Sequence, residues 1–142
     1  FKIFKKICEE NNISLDVINS KNDKITNFPN CDILIEVSWR YLIPQTIVKK
    51  AKILSFGIHR GKLPDFAGAE PIKQALLKGE KEIVLSAHNL DSIIDAGSTL
   101  NSISLPVKYD ESISLDENIQ KILDEITPFF SKLFFKTVDP LF

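Results

Sequence analysis

The sequence has no methionine, only two cysteines and two histidines, and no excess of charge of either sign. Each shortage excludes something. Eighteen basic against nineteen acidic side chains leave no electrostatic footprint for non-specific nucleic-acid binding. Cys8 and Cys31 are too few for a disulfide framework and lack metal-ligand spacing, so they read as reduced thiols of a cytoplasmic protein. No apolar run approaches the ~20 residues of a membrane helix, and charges interrupt FKIFKKIC too soon for a signal peptide. Two histidines without a cluster of further ligands do not make a zinc site, so no metal is expected. A chain that opens on Phe1 and holds no methionine is expected to be an incomplete reading frame, without the first strand of its fold.

What is present suffices for one core. The 142 residues are 44% apolar, which excludes a disordered polymer, and no repeat or linker divides them. Phe1, Phe4, Ile7 and Cys8 share one face of an opening helix that Asn11 and Asn12 end. ISLDVIN (13–19) reads as a strand, and DILIEVSW (32–39) as one covered on both faces. A short helix at 46–51 precedes a second buried strand, KILSFGIH (52–59). PIKQALLKG (71–79) has proline at the first helical position and glycine just past the end. EIVLSAH (82–88) and TLNSISLPV (99–107) are strands flanking a loop with Asp91, Asp95 and Gly97. Ser114 and Glu117 form a capping box that opens a helix with Leu115, Ile119, Ile122, Leu123 and Ile126 on one stripe. Pro128 kinks or divides that helix, and FFSKLFF carries its stripe onward, against the sheet or, alternatively, as the face of a homodimer.

Alternating strands and helices predict an α/β, Rossmann-like fold: a mostly parallel sheet with helices on both faces, here one domain over 1–142. The ligand crevice of such sheets lies beyond the carboxyl ends of the strands. That selects Trp39 to Pro44, His59 to Pro64 and His88 to Gly97. Imidazole titrates near neutral pH, so His59 could serve as an acid, a base or an oxyanion partner, and Asp95 could orient it or hold it charged. A structural histidine at a strand end is the alternative. No serine or cysteine stands in a nucleophile-elbow context.

Residues 57–97, GIHRGKLPDFAGAEPIKQALLKGEKEIVLSAHNLDSIIDAG, resemble the core of the folate-dependent formyltransferases. His59, Leu63 and Pro64 match that family's Asn-x-His and Ser-Leu-Leu-Pro stretch, and Gly68, Ala69, Pro71 and Ile72 match its Gly-Ala-x-Pro-Ile helix. His88 stands seven residues before Asp95 of an Asp-x-Gly, and SWRYLIP (38–44) falls where the family has its folate-pocket loop. The resemblance implies transfer of a formyl group from 10-formyltetrahydrofolate to a primary amine, with His59 stabilising the oxyanion and Asp95 ordering a proton-carrying water. It implies folate contacts at Arg40, Tyr41, Leu42, Ile43, Asp91, Ser92, Ile93 and Ile94. His88 and Pro64 would give structural support. Arg60, Gly61 and Lys62 would receive an anionic, nucleotide-linked substrate, two solvated cations being the plainer reading of Arg60 and Lys62. Nucleotide-linked amino-sugar formyltransferases share Gly-Ala-x-Pro-Ile and need no RNA domain, which favours a small-molecule amine over tRNA. Gly57 stands where the family has its catalytic Asn, and Gly61 and Lys62 replace the Ser and first Leu of its loop. These departures keep two alternatives open: a folate- or nucleotide-binding relative with impaired catalysis, and a formyltetrahydrofolate deformylase.

Overall fold

The structure is a computed structural model describing residues 1–142 except Lys21, Asn22, Lys24, Thr26, Asn27 and Arg40. Helix α1 (Lys2–Glu10) is followed by β1 (Cys31–Val37), α2 (Gln45–Val48), β2 (Ala51–His59), α3 (Pro71–Leu77), β3 (Glu82–Asn89), β4 (Thr99–Pro106) and α4 (Leu115–Val138). A 3₁₀ turn, Asp139–Leu141, follows α4. The four strands form one sheet in sequence order.

The α/β, Rossmann-like class holds, but the expected mostly parallel pairing holds for β1 and β2 alone. β2 pairs antiparallel with β3, and β3 antiparallel with β4. The cause lies in the connections. The chain leaves β2 at His59, turns through α3, and re-enters the sheet beside the end it left, so that His59 pairs with Ser86 and Gly57 with His88. A crossover helix would have carried it back along the sheet; the 60–81 connection does not. Strand and helix alternation therefore gives the class correctly, and β1, β2 and β4 point the same way; of the four strands only β3 is reversed.

The core lies between β2, β3, α3 and α4. Phe56, Ile58, Ile83, Leu85, Ala87, Ile72, Ala75, Ile122, Ile126 and Leu133 are buried together, and Phe134 stacks on Phe56 at 6.2 Å between ring centroids. Each large side chain so buried contributes about 1.5–3 kcal/mol. The FFSKLFF segment thus packs on the sheet, and α4 runs through Pro128 undivided. Its N-terminus has the expected capping box: Ser114 Oγ accepts from the Glu117 N–H, and Glu117 Oε2 accepts from the Ser114 N–H at 2.9 Å. One turn in, buried Asn118 donates to the carbonyls of Asp110 and Ser114 and accepts from the Asp110 N–H, clasping the preceding loop to the helix. Helix α3 closes with the Gly79 N–H on the Leu76 carbonyl and the Glu80 N–H on the Ala75 carbonyl, a Schellman closure.

The first fifty residues depart most from expectation. Residues 13–19 are irregular, not a strand, and Ile13, Leu15 and Val17 are exposed. An apolar alternation becomes a strand only where an edge accepts its hydrogen bonds, and no ladder among the described residues reaches it. The apolar face of α1 is likewise exposed at Phe1, Phe4 and Ile7. Among the described residues β1 lies at the edge of the sheet with only Leu34 buried and nothing covers its second face, so Ile35 and Val37 are exposed.

Candidate active site

The site forms where the segment after β1, the middle of β2 and β3, and the 90–97 loop converge. Asp95 organises it. Its backbone is left-handed at φ 56°, a conformation that Asp tolerates better than most residues. Oδ2 accepts from the Gly68 N–H at 2.9 Å and lies 3.4 Å from His59 Nδ1. Oδ1 lies 3.6 Å from His88 Nε2, just beyond hydrogen-bond reach. One carboxylate therefore stands between two imidazoles, with side-chain exposures of 10% for His59, 13% for Asp95 and 4% for His88. Gly97 permits this placement. A Cβ there would fall 1.8 Å from the Asn89 carbonyl oxygen, so only glycine lets the loop close against the end of β3.

The two rings are held differently. His59 Nε2–H donates to the Phe66 carbonyl at 2.7 Å, leaving Nδ1 to face Asp95. His88 Nδ1–H donates to the Asn89 carbonyl at 3.1 Å, so in the neutral ring Nε2 carries the lone pair. That Nε2 is buried without a hydrogen-bond partner. Burial pushes the His88 pKa down, outweighing the Asn89 hydrogen bond and the Asp95 charge that raise it.

A crevice opens over this cluster, lined by Glu36, Trp39, Tyr41, Leu42, Ile43, His88, Leu90, Asp91, Ile93, Ile94 and Asp95. The left-handed Ser38, φ 57°, turns the chain after β1 so that the Trp39 N–H donates to Glu36 Oε1. Trp39 and Tyr41 meet edge to face at 5.8 Å.

Several expected residues thus share one site: Tyr41, Leu42, Ile43, Asp91, Ile93, Ile94 and Asp95 all line the crevice. Arg40 lies outside the described residues. Ser92 gives both its N–H and its hydroxyl to Asp91 Oδ1 and shapes the loop. His59 stands behind Asp95, and His88, expected to be support only, lines the crevice. Arg60, Gly61 and Lys62 line a second hollow with Glu80 and Glu82. Lys62 is paired there with Asp65 at 3.1 Å, an acidic setting that does not favour an anion. Pro64 follows a cis peptide bond in the loop above β2. Leu90 lies in the selected His88 to Gly97 segment, and Glu36 is the crevice residue outside the selected segments. The available signal for Glu36 was an acid inside the apolar strand run ILIEV (33–37).

Comparison with known proteins adds to this geometry. The family described as formyl transferase matches residues 1–127. A methionyl-tRNA formyltransferase of Azobacteroides pseudotrichonymphae is 31% identical over 112 residues, covering 79% of this chain and 32% of its own length. The chain spans about a third of the length of the curated relatives it matches. Among solved structures, the formyltransferase PseJ of Anoxybacillus kamchatkensis, in complex with UDP-4,6-dideoxy-4-formamido-L-AltNAc and tetrahydrofolate, aligns at TM-score 0.67 and 23% identity over 99% of this chain and 72% of that one. A phosphoribosylglycinamide formyltransferase of Streptococcus pneumoniae aligns at TM-score 0.59 and 18% identity over 99% and 64%. At these identities the two structures establish the fold.

Proposed function

This chain belongs to the formyl transferase family, and on that premise we propose that it moves a formyl group from 10-formyltetrahydrofolate to a primary amine. The observation that carries the reading is the Asp95 carboxylate, flanked by His59 and His88, at the floor of an apolar crevice. The residues present fit a folate. Trp39, Tyr41, Leu42, Ile43, Leu90, Ile93 and Ile94 offer apolar walls to a flat heterocycle, and the buried, partnerless His88 Nε2 offers it a polar contact.

The donor supplies a formyl carbon bonded to a nitrogen leaving group. The transfer makes a bond from the amine nitrogen to that carbon, breaks the bond to the donor nitrogen, and moves one amine proton to the donor side. The loop segments 41–43 and 91–94 position the ring. A proton taken at Asp95 is shared with an imidazole at either carboxylate oxygen instead of resting on the carboxylate alone. His59, tied to Phe66 through its other nitrogen, also fixes the orientation of Asp95.

The acceptor in this proposal is a nucleotide-linked amino sugar, and residues 1–142 act as one domain of this kind. What supports it is the alignment over almost the whole chain with PseJ, whose structure holds such a sugar nucleotide. The test is product analysis by mass spectrometry after incubation with 10-formyltetrahydrofolate and either a UDP-linked 4-amino-4,6-dideoxy sugar or methionyl-tRNA. Formylated sugar nucleotide is the expected product. Formylated methionyl-tRNA alone would move the acceptor to the class named by the curated relatives. Free formate with no formylated amine would replace the reading with deformylation, and no product would overturn it.

A further inference from the structure

Gly57 lies directly beneath the crevice, and its missing side chain leaves a gap with a definite occupant. A Cβ built on Gly57 would meet Glu36 Oε2 at 2.8 Å and His88 Nε2 at 3.0 Å. The gap is therefore filled from β1 by a carboxyl group. Glu36 Oε1 is fixed by the Trp39 N–H, while Oε2 points over Gly57 toward His88 and has no partner among the described residues. Glu36, His88 and Asp95 all line the same crevice.

We propose that Glu36 is a catalytic residue of this site, whose neutral carboxyl group donates a hydrogen bond from Oε2 to the formyl oxygen of the bound donor. The proposal rests on the formyl-transfer reading and specifies which group would hold that oxygen. A carboxylate could not do this, because an ionised oxygen only accepts and would repel the charge that develops on the formyl oxygen. Two observations favour the neutral acid. Partial burial pushes the Glu36 pKa up and outweighs the Trp39 hydrogen bond that lowers it; the charge of Asp95 adds a lesser rise and Arg60 a still smaller opposing effect. His88 faces it from β3 with a lone pair and no proton at Nε2 in its neutral form. Asp91, a further acid of the crevice, is held below the usual range by its Ser92 hydrogen bonds and so does not serve as the neutral donor. The proton stays on Glu36 throughout, so no bond to it forms or breaks in the transfer.

The test compares the parent chain with Glu36→Gln, Glu36→Val and the double variant Glu36→Val/Gly57→Asn. Each is first checked for an unchanged thermal midpoint and for binding of 5-formyltetrahydrofolate by calorimetry. Release of tetrahydrofolate from 10-formyltetrahydrofolate is then followed with water as the acceptor, formate being the second product. Glu36→Val, which removes the donor, should slow release by roughly 10²–10³-fold, the usual loss for one oxyanion donor. Glu36→Gln keeps a neutral donor and should lose less than about tenfold. It should also abolish the fall in rate that the parent shows as pH rises and Glu36 ionises. The double variant, which supplies an amide from β2, should recover at least about tenfold over Glu36→Val. Independently of turnover, carboxyl ¹³C NMR of the free protein should place Glu36 ionisation above the ordinary value of 4.5.

Glu36→Val as fast as the parent, Glu36→Gln as slow as Glu36→Val, or ordinary titration of Glu36 would each overturn the proposal while leaving the folate reading intact. Failure of the parent to bind 5-formyltetrahydrofolate would overturn the reading beneath it, and the proposal with it.

Discussion

The first fifty residues and the rest of the chain use apolar side chains in opposite ways. From β2 onward, the apolar residues of β2, β3, α3 and α4 close on one another into a continuous core. Among the described residues before β2, only Leu34 and Ile47 are buried, while α1, the 13–19 segment and the outer face of β1 leave large apolar side chains in solvent. The same patterns occur in both regions; only in the second do they find partners. Periodicity predicts which face of an element is apolar, but burial depends on what another element places opposite it. The crevice lies on the seam between the two regions. Glu36 and Trp39 come from the sparsely packed part, and His88 and Asp95 from the body.

The sharpest break of this contrast is Leu133→Ala. Leu133 is 0% exposed on the inner face of α4, and its loss should cost about 2–5 kcal/mol in a urea unfolding curve. A cost below about 0.5 kcal/mol would mean that α4 is not docked as described. Asn118→Ala should cost about 1–3 kcal/mol, because it leaves the Asp110 N–H without its partner and takes the side-chain donor from the Asp110 and Ser114 carbonyls, which keep only backbone N–H partners at the entry to α4.

The seam should have a two-sided pH response. Glu36, with its pKa raised by burial, keeps its proton in the folded state after the unfolded chain has lost it. Its contribution is therefore complete below 4.5 and declines as pH rises through the raised value. His88 runs the other way. With its pKa lowered by burial, its contribution is complete above 6.5 and declines as pH falls toward the lowered value. Urea midpoints measured against pH should show Glu36→Gln removing the first decline and His88→Gln the second. Unaltered profiles in both variants would contradict the burial of these groups. The smallest effect is expected from Phe4→Ala on the uncovered face of α1, within about 0.5 kcal/mol of the parent. A loss as large as that of Leu133→Ala would show that the N-terminal region is packed after all.

The elements legible in the sequence were those whose signals are local. Pro71 and the 78–80 closure bound α3, Ser114 and Glu117 open α4, and the β-rich runs of β2, β3 and β4 stand within two residues of their observed limits. Strand direction was not legible, because it is set by where the 60–81 connection re-enters the sheet. Of the candidate site, the crevice residues on the 41–43 and 91–95 segments follow from motif order, and Asp95 meets both histidines. The division of labour between His59 and His88 was hidden, since it depends on which ring nitrogen each backbone carbonyl engages. Glu36 was hidden for a related reason: its meaning comes from facing Gly57, twenty-one residues away, across a parallel strand pair.

The most direct test of the account is a calorimetric titration with 5-formyltetrahydrofolate of the parent chain beside Trp39→Ala and Asp95→Ala. The account predicts roughly micromolar binding by the parent, weakened by both substitutions because they remove an apolar wall and the polar floor of one crevice. A folded parent that binds no folate, or binding indifferent to both changes, would contradict the placement of the formyl donor there.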